Sequence, residues 1–325
     1  MYNSQLKLAE WRLQRILSMS LILGAFLLFA SDTPSSLPNR TPRPARIATL
    51  HLEPVSFEPT AGARITDAWT LTSDDNRMAG LSALAVLPDG RLQALSDSGA
   101  LVTFARPSRS ADATALVEEL PGGPGYPTFK KYRDSEAMIV DRDGRGQFVA
   151  FENQHSLWRY ESDGRATRLP LRLPAKRWKR NTGIEAMVVD PADGNLLLLH
   201  EGGRELFRVG RSATPSALPL AGATGGIADA VRLPDGRIVV AVREIGLLGL
   251  SNRLAWLEPT AGGYRLRNFA TLPLGPLDNI EGLAAEPVAG GGTLLWAVTD
   301  NDAWRRTLLL RIELDTTKAP AEAGA

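Results

Sequence analysis

Acidic residues recur along this chain in two series whose types and spacing suit a cation site or acid–base chemistry. One series opens short apolar runs and holds Glu136, Glu185, Asp229 and Glu281, with Ser82 at the matching place in the earliest run. The other closes the next apolar run and holds Asp97, Glu152, Glu201, Glu244 and Asp300, offset by 15, 16, 16, 15 and 19 residues in order of position along the chain. Carboxylates gathered this densely repel one another unless a cation, a shared proton or basic partners neutralise them. A hard divalent ion such as Ca²⁺, which takes six to eight oxygens, is the natural counter-charge. Glu136, Glu185, Asp229, Glu281, Asp97 and Asp300 are accordingly the expected ligands, and Glu201 or Glu152 the expected general base. Any single one of these acids could instead cap a turn or bond to nearby backbone amides.

Basic residues accompany the acids. Lys130-Lys-Tyr-Arg133 precedes Glu136, and Lys176-Arg-Trp-Lys-Arg180-Asn181 precedes Glu185. Lys131, Lys179, Arg180 and Asn181, together with His200 and Arg243 beside the second series, are expected to receive an anionic substrate. His200 and Arg243 could equally be structural partners of Glu201 and Glu244. The chain has no Gly-x-Ser-x-Gly elbow, His-Glu-x-x-His or Walker-type loop, so the common nucleophile and zinc templates lack support.

The elements that must position these residues form a repeat. Ser82-Ala-Leu-Ala-Val, Glu136-Ala-Met-Ile-Val, Glu185-Ala-Met-Val-Val, Asp229-Ala-Val-Arg-Leu and Glu281-Gly-Leu-Ala-Ala begin 54, 49, 44 and 52 residues apart. Four are followed by an Asp-Gly turn: Pro88-Asp-Gly, Arg142-Asp-Gly, Ala192-Asp-Gly and Pro234-Asp-Gly. A second, a third and a weaker fourth apolar run come next, as in Leu157-Trp-Arg-Tyr and Thr167-Arg-Leu-Pro-Leu. Short strands repeating with Gly-rich turns are the signature of an all-β propeller. Five blades of about four strands are recognisable. Residues 65–73 are placed to close the ring as an N-terminal strand, and 46–60 leave room for a degenerate sixth blade. First and second strands run antiparallel, so both acidic series should emerge at one mouth of the central channel.

Lys+Arg is 37 against Asp+Glu 36, which gives no global attraction to nucleic acid or acidic membranes. Residues 1–30 join a basic start (Lys7, Arg12, Arg15) to an uncharged run over 16–30. As a helix this run spans about 22 Å, shorter than the ~30 Å bilayer core, so a cleaved export signal is favoured over a retained inner-membrane anchor. Residues 31–46 read as a Pro/Ser-rich tether, 47–315 as the propeller and 316–325 as a flexible tail. With no cysteine there is neither a disulfide framework nor thiolate chemistry. A periplasmic or secreted location is expected.

The order of the motifs resembles the phytase-like family named for the esterase-like activity of phytase. The resemblance rests on Gly80-Leu-Ser-Ala-Leu with Ala94-Leu-Ser-Asp97, on Asp134-Ser-Glu136-Ala-Met, and on Asn181-Thr-Gly-Ile-Glu185-Ala-Met with Glu201. It continues in Asp229 with Arg243-Glu244, and in Asn279-Ile-Glu281-Gly-Leu with Thr299-Asp300-Asn301. It covers about residues 65–313. Ala137 and Ala186 depart from it, standing where the family usually has Gly, and Asp229 replaces a longer acid. The resemblance implies an exported bacterial propeller, related in architecture to calcium-dependent phytases, that hydrolyses phosphoesters or carboxylic esters. The competing expectations are a non-catalytic envelope propeller that binds a sugar, peptide or partner protein, and a lactonase-like propeller.

Overall fold

The computed structural model describes residues 42–107, 112–127, 130–179, 182–210, 212–247, 249–288, 292–300 and 305–314. The expected export signal, most of the tether and the tail therefore lie outside the described residues. Among the described residues no helix is long and apolar enough to cross a membrane.

Two strands come first, β1 (Arg46–Pro54) and β2 (Ala63–Ser73). Five antiparallel meanders follow. The first is β3 (Leu81–Val86), β4 (Leu92–Ser96), β5 (Ala100–Phe104) and β6 (Ala113–Glu119). The second is β7 (Ser135–Val140), β8 (Gly146–Phe151), β9 (Ser156–Glu161) and β10 (Ala166–Arg168). The third is β11 (Ile184–Val189), β12 (Leu196–His200), β13 (Glu205–Val209) and β14 (Ser216–Ala221). The fourth is β15 (Gly226–Arg232), β16 (Ile238–Gly246), β17 (Gly249–Thr260) and β18 (Gly263–Thr271). The fifth has β19 (Asn279–Pro287), β20 (Thr293–Asp300) and β21 (Thr307–Leu314), and β2 completes it by pairing antiparallel with β21. The first strands of the meanders pack in a closed cycle, β3 to β7 to β11 to β15 to β19 and back to β3. This is propeller architecture. The N-terminal strand expected over 65–73 is β2, and it occupies the closing place.

Residues 46–54 do not start another meander. β1 pairs with both β2 and β6, so one nine-stranded sheet joins the last meander to the first. A short parallel ladder, Leu220 with Tyr264 and Ala221 with Arg265, ties β14 to β18 in the same way. The end of the expected tether is pinned as well, since the Arg43 backbone N–H donates to Glu119 at 2.8 Å.

The Asp-Gly turns explain how the repeat folds locally. Gly90, Gly144, Gly194 and Gly236 all have φ between 68° and 93°, a region that costs a residue with a Cβ. The preceding Asp89, Asp143, Asp193 and Asp235 each accept the backbone N–H two residues on, at 2.9–3.1 Å. These aspartates are turn caps, and they lie at the ends of the hairpins away from the acidic series. The core sits between successive sheets rather than within one central layer. Leu95, Met138, Val149 and Phe151 pack between the first and second meanders, and Ile184, Met187, Leu198 and Phe207 line the interface of the second with the third. Trp69 and Trp296 stack with centroids 6.3 Å apart where the fifth meander meets the first.

Candidate functional site

Each first strand carries a one-residue bulge near its start. The unpaired residues are Ser82, Glu136, Glu185, Ala228 and Glu281, read from the jumps Leu81/Ala83, Ser135/Ala137, Ile184/Ala186, Ile227/Asp229 and Ile280/Gly282. A bulge turns its extra residue out of the ladder and re-aims the side chain. Four of these residues, all but Ala228, line one cavity of about 200 Å³ at the common mouth. The residues one step beyond the partners of the bulge-preceding positions are Asp97, Glu152, Glu201, Arg243 and Asp300, and all five line the same cavity.

The backbone pairing corrects the register expected for the fourth meander. Ile227 pairs with Val242 as Ile184 pairs with His200, so Ala228 corresponds to Glu185 and Arg243 corresponds to Glu201. Asp229 then matches Ala137, Ala186 and Gly282, a position that faces the neighbouring first strand. A Cβ on Gly282 would stand 2.7 Å from the Ala83 backbone, which shows how close that approach is. Asp229 is buried there, accepting the Leu283 backbone N–H at 2.6 Å and the Ala230 backbone N–H at 2.7 Å. It is outside the cavity lining, so its carboxylate is a strand-to-strand cap and not a member of the ring. Glu244 is displaced by the same single residue and pairs with Arg253 at 2.6 Å.

Among the described residues the cavity thus joins Asp97, Glu136, Glu152, Glu185, Glu201, Glu281 and Asp300 to one cation, Arg243. Arg243 donates through Nη2 to Glu201 Oε1 at 2.8 Å and through Nη1 to Glu281 Oε1 at 2.5 Å. The Asn279 side-chain amide is a second donor to Glu281 Oε1. Burial, reinforced by Glu185, Asp134, Glu281 and Asp97, raises the Glu136 carboxyl well above its ordinary range. Burial also raises Glu185, with Glu281, Glu201 and Glu152 adding to it and Arg243 opposing. Glu281 is pushed up to about 7 by burial, against the pull of Arg243. These shifts follow from enclosing like charges in low-dielectric surroundings.

One group of oxygens is close enough together that it could hold an ion. Asp134, Glu136 and Glu152 each offer a carboxylate oxygen within 4.8 Å of the other two. Asp134 and Glu152 are buried, Asn153 donates to Asp134, and the Glu152 backbone N–H donates to the Asp134 carbonyl at 2.7 Å. The donors are all hard oxygens, which fits Mg²⁺ or Ca²⁺ better than a soft transition metal. Asp134 was not among the ligands expected from sequence. Its signal is the Asp-x-Glu spacing of Asp134 and Glu136, which sets two acids side by side at the opening of one strand.

The expected substrate-binding residues are dispersed. Lys131, on the helical turn Lys130–Arg133, and Lys179 are exposed and outside the cavity lining. Arg180 and Asn181 lie outside the described residues. His200 also stays out of the lining; its Nδ1 accepts the Gly202 N–H at 3.0 Å and its ring packs on Trp178 at 4.6 Å. Burial, with His155 nearby, lowers its pKa, so the imidazole is neutral at pH 7 and is no anion-binding cation. Trp178 is held between His155 and His200 and anchors the loop that carries Lys179.

A sequence model described as "Phytase-like: Esterase-like activity of phytase" matches residues 76–303, a span that contains every lining residue of the cavity. No curated protein matches. Among solved structures, a gluconolactonase from Xanthomonas campestris is similar at 15% identity and TM-score 0.48, covering 86% of this chain and 100% of its own. A virginiamycin B lyase from Staphylococcus aureus is similar at 10% identity and TM-score 0.44, covering 82% and 99%. The hydrazine synthase of Kuenenia stuttgartiensis is similar at 12% identity and TM-score 0.40 over 68% of this chain, which spans only 56% of that one.

Proposed function

Because the chain belongs to the phytase-like family, we propose that it is a metal-dependent hydrolase of small carboxylic or phosphoric esters, acting in the acidic cavity. The observation that carries this reading is the grouping of Asp134, Glu136 and Glu152 beside acids, Glu185 and Glu281, whose pKa burial raises. Asp134, Glu136 and Glu152 would hold a divalent ion, with Ca²⁺ the leading candidate, and Asp97 lines the same cavity. Such an ion supplies Lewis-acid polarisation of the ester oxygen and neutralises developing negative charge.

The remaining steps belong to the chain's own side chains. Glu281 accepts a proton from water as the water oxygen bonds to the ester carbon or phosphorus. The bond to the leaving oxygen breaks, and Glu185, whose proton burial holds more tightly than an ordinary carboxyl does, supplies that oxygen with a proton. Arg243 holds Glu201 and Glu281 in place and so orients the base. In this division Glu152 is a ligand rather than the base expected from sequence. Lys131 and Lys179 lie far enough out on the rim to attract an anionic ester without entering the chemistry. Export belongs to the same proposal, supported by the basic start and apolar run of residues 1–30.

A chromogenic ester and phosphoester panel, run with Ca²⁺ and with EDTA, tests the reading. Turnover that EDTA abolishes and Ca²⁺ restores is expected, with Glu281→Gln inactive yet still binding the ion. Absence of turnover together with no Ca²⁺-dependent rise in melting temperature would leave a binding propeller instead.

A further inference from the structure

The fourth meander departs from the others in one respect besides its charge. β4, β8 and β12 stop at the residue before the cavity-lining acid, whereas β16 runs three residues past Arg243, to Gly246. At about 3.3 Å per residue the β16–β17 hairpin stands roughly 10 Å beyond the ring, on the mouth side. Its end is apolar. Ile245 is 80% exposed and Leu247 fully so, and Leu277 is half exposed on the segment that leads into β19. Leu250 donates its backbone N–H to the Pro276 carbonyl at 2.8 Å, and a Cβ on Gly249 would stand 2.5 Å from Pro276. Hairpin and segment are therefore one tied lip between the fourth and fifth meanders. Among the described residues five large apolar side chains are exposed, and three of them are on this lip.

The cavity beside it is polar: among the described residues its lining is seven carboxylates, Arg243, Ser82, Gly80 and one aliphatic side chain, Leu81. Lys131 and Lys179, on the segments that lead into β7 and β11, are exposed. The apolar lip thus adjoins a mouth lined by charged groups. Clustered apolar side chains of this kind mark a contact surface. We propose that the lip formed by Ile245, Leu247 and Leu277 binds the alkyl or aryl portion of the substrate, which makes the substrate class amphiphilic: an ester with a polar or anionic head and an apolar substituent. The inference rests on the hydrolase reading for the placement of the head, and on the hairpin alone for the tail. The lip shares β16 with Arg243 and ends about 10 Å beyond it, within the length of a substrate held at the ring, which favours a substrate tail over a separate partner.

Binding of methyl phosphate and octyl phosphate to the full chain, by calorimetry in Ca²⁺, separates the two parts. Octyl phosphate is expected to bind at least about ten-fold tighter than methyl phosphate, because several methylenes leave water on the lip. Leu247→Ser, and Ile245→Ser with Leu247→Ser, should erase that advantage and leave methyl phosphate binding as it was; both changes are at exposed positions and an unchanged melting temperature verifies folding. Equal affinity for the two phosphates overturns the inference, whatever the absolute value. Failure of methyl phosphate and Ca²⁺ to bind at all would instead count against the hydrolase reading. Co-sedimentation with phosphatidylcholine vesicles that the serine variants abolish would reassign the lip to a membrane surface and overturn the substrate role.

Discussion

Arg243 Nη1 and Nη2 bridge Glu281 and Glu201, carboxylates that arise from different meanders and from different tiers of the ring. The pairing of β15 with β16 sets Arg243 in the place that acids occupy in the other four meanders, and Ala228 removes the acid that would face it. The fourth meander therefore brings its own cation. One arc of the cavity, around Glu201 and Glu281, is partly neutralised by Arg243, and the grouping suited to an ion, Asp134, Glu136 and Glu152, lies apart from that clamp.

Replacing Arg243 with Gln should accordingly destabilise the fold at pH 8 without divalent ions. Glu201 and Glu281 would be left as enclosed, uncompensated charges, a situation that costs about 3–5 kcal/mol when one partner of a buried pair is deleted. At pH 5 the loss should shrink, because Glu281 is then protonated and no longer an uncompensated charge. Urea unfolding at the two pH values reads both effects, and a variant as stable as the parent at pH 8 would show that the clamp contributes nothing.

The parent chain should itself lose stability as pH rises. A carboxyl whose folded-state pKa is raised binds its proton more tightly in the native state than in the unfolded one. Its stabilisation is complete below the unfolded value and is lost as pH rises through the folded value. For Glu281 the window runs from its ordinary 4.5 to about 7. The difference corresponds to about 3 kcal/mol for this group taken alone. Glu136 and Glu185, raised in the same direction, add to the decline. Thermal melts between pH 5 and 8 in EDTA should fall steadily, and a profile that is flat or rises with pH would contradict the enclosed-acid arrangement.

Much of this architecture was legible in the sequence because the turns repeat with their mechanism: Asp-Gly at Asp89, Asp143, Asp193 and Asp235 fixes where each hairpin folds back. The closing role of 65–73 was legible for a related reason, since an apolar strand without a meander of its own needs an edge to complete, and β21 offers one. The fourth meander was misread by one residue. Its Asp229 and Glu244 preserve the spacing of the acid pairs, so counting along the chain aligns them with Glu185 and Glu201. Only the ladder reveals that Ala228 is the bulged residue. Asp134 escaped for the opposite reason: it precedes the repeat unit, and its nearness to Glu152 depends on how the second strand returns.

Substitution of single acids should separate ligands from bystanders. Ca²⁺ at 100 times its dissociation constant would stabilise the parent by about 2.7 kcal/mol. Glu136→Gln or Glu152→Gln should lose most of that rise, whereas Glu244→Gln, paired with Arg253 outside the cavity, should keep it. In EDTA at pH 8 Glu136→Gln should melt higher than the parent, because one enclosed charge is gone. A full Ca²⁺ response in both cavity variants would remove the Asp134 group as the ion site.

Asp229 supplies the sharpest contrast, because the repeat spacing casts it as a ligand and its hydrogen bonds cast it as a cap. Asp229→Ala would leave the Leu283 and Ala230 N–H groups buried without acceptors, at about 1–3 kcal/mol for each unsatisfied donor. Asp229→Asn keeps a side-chain oxygen and should cost less. Neither should alter the Ca²⁺-dependent shift, since the carboxylate faces β19 and not the cavity. Calorimetric titration of Ca²⁺ into both variants, alongside urea unfolding, measures the two quantities independently. Lost Ca²⁺ binding with unchanged stability would restore Asp229 to the ring and invalidate the corrected register.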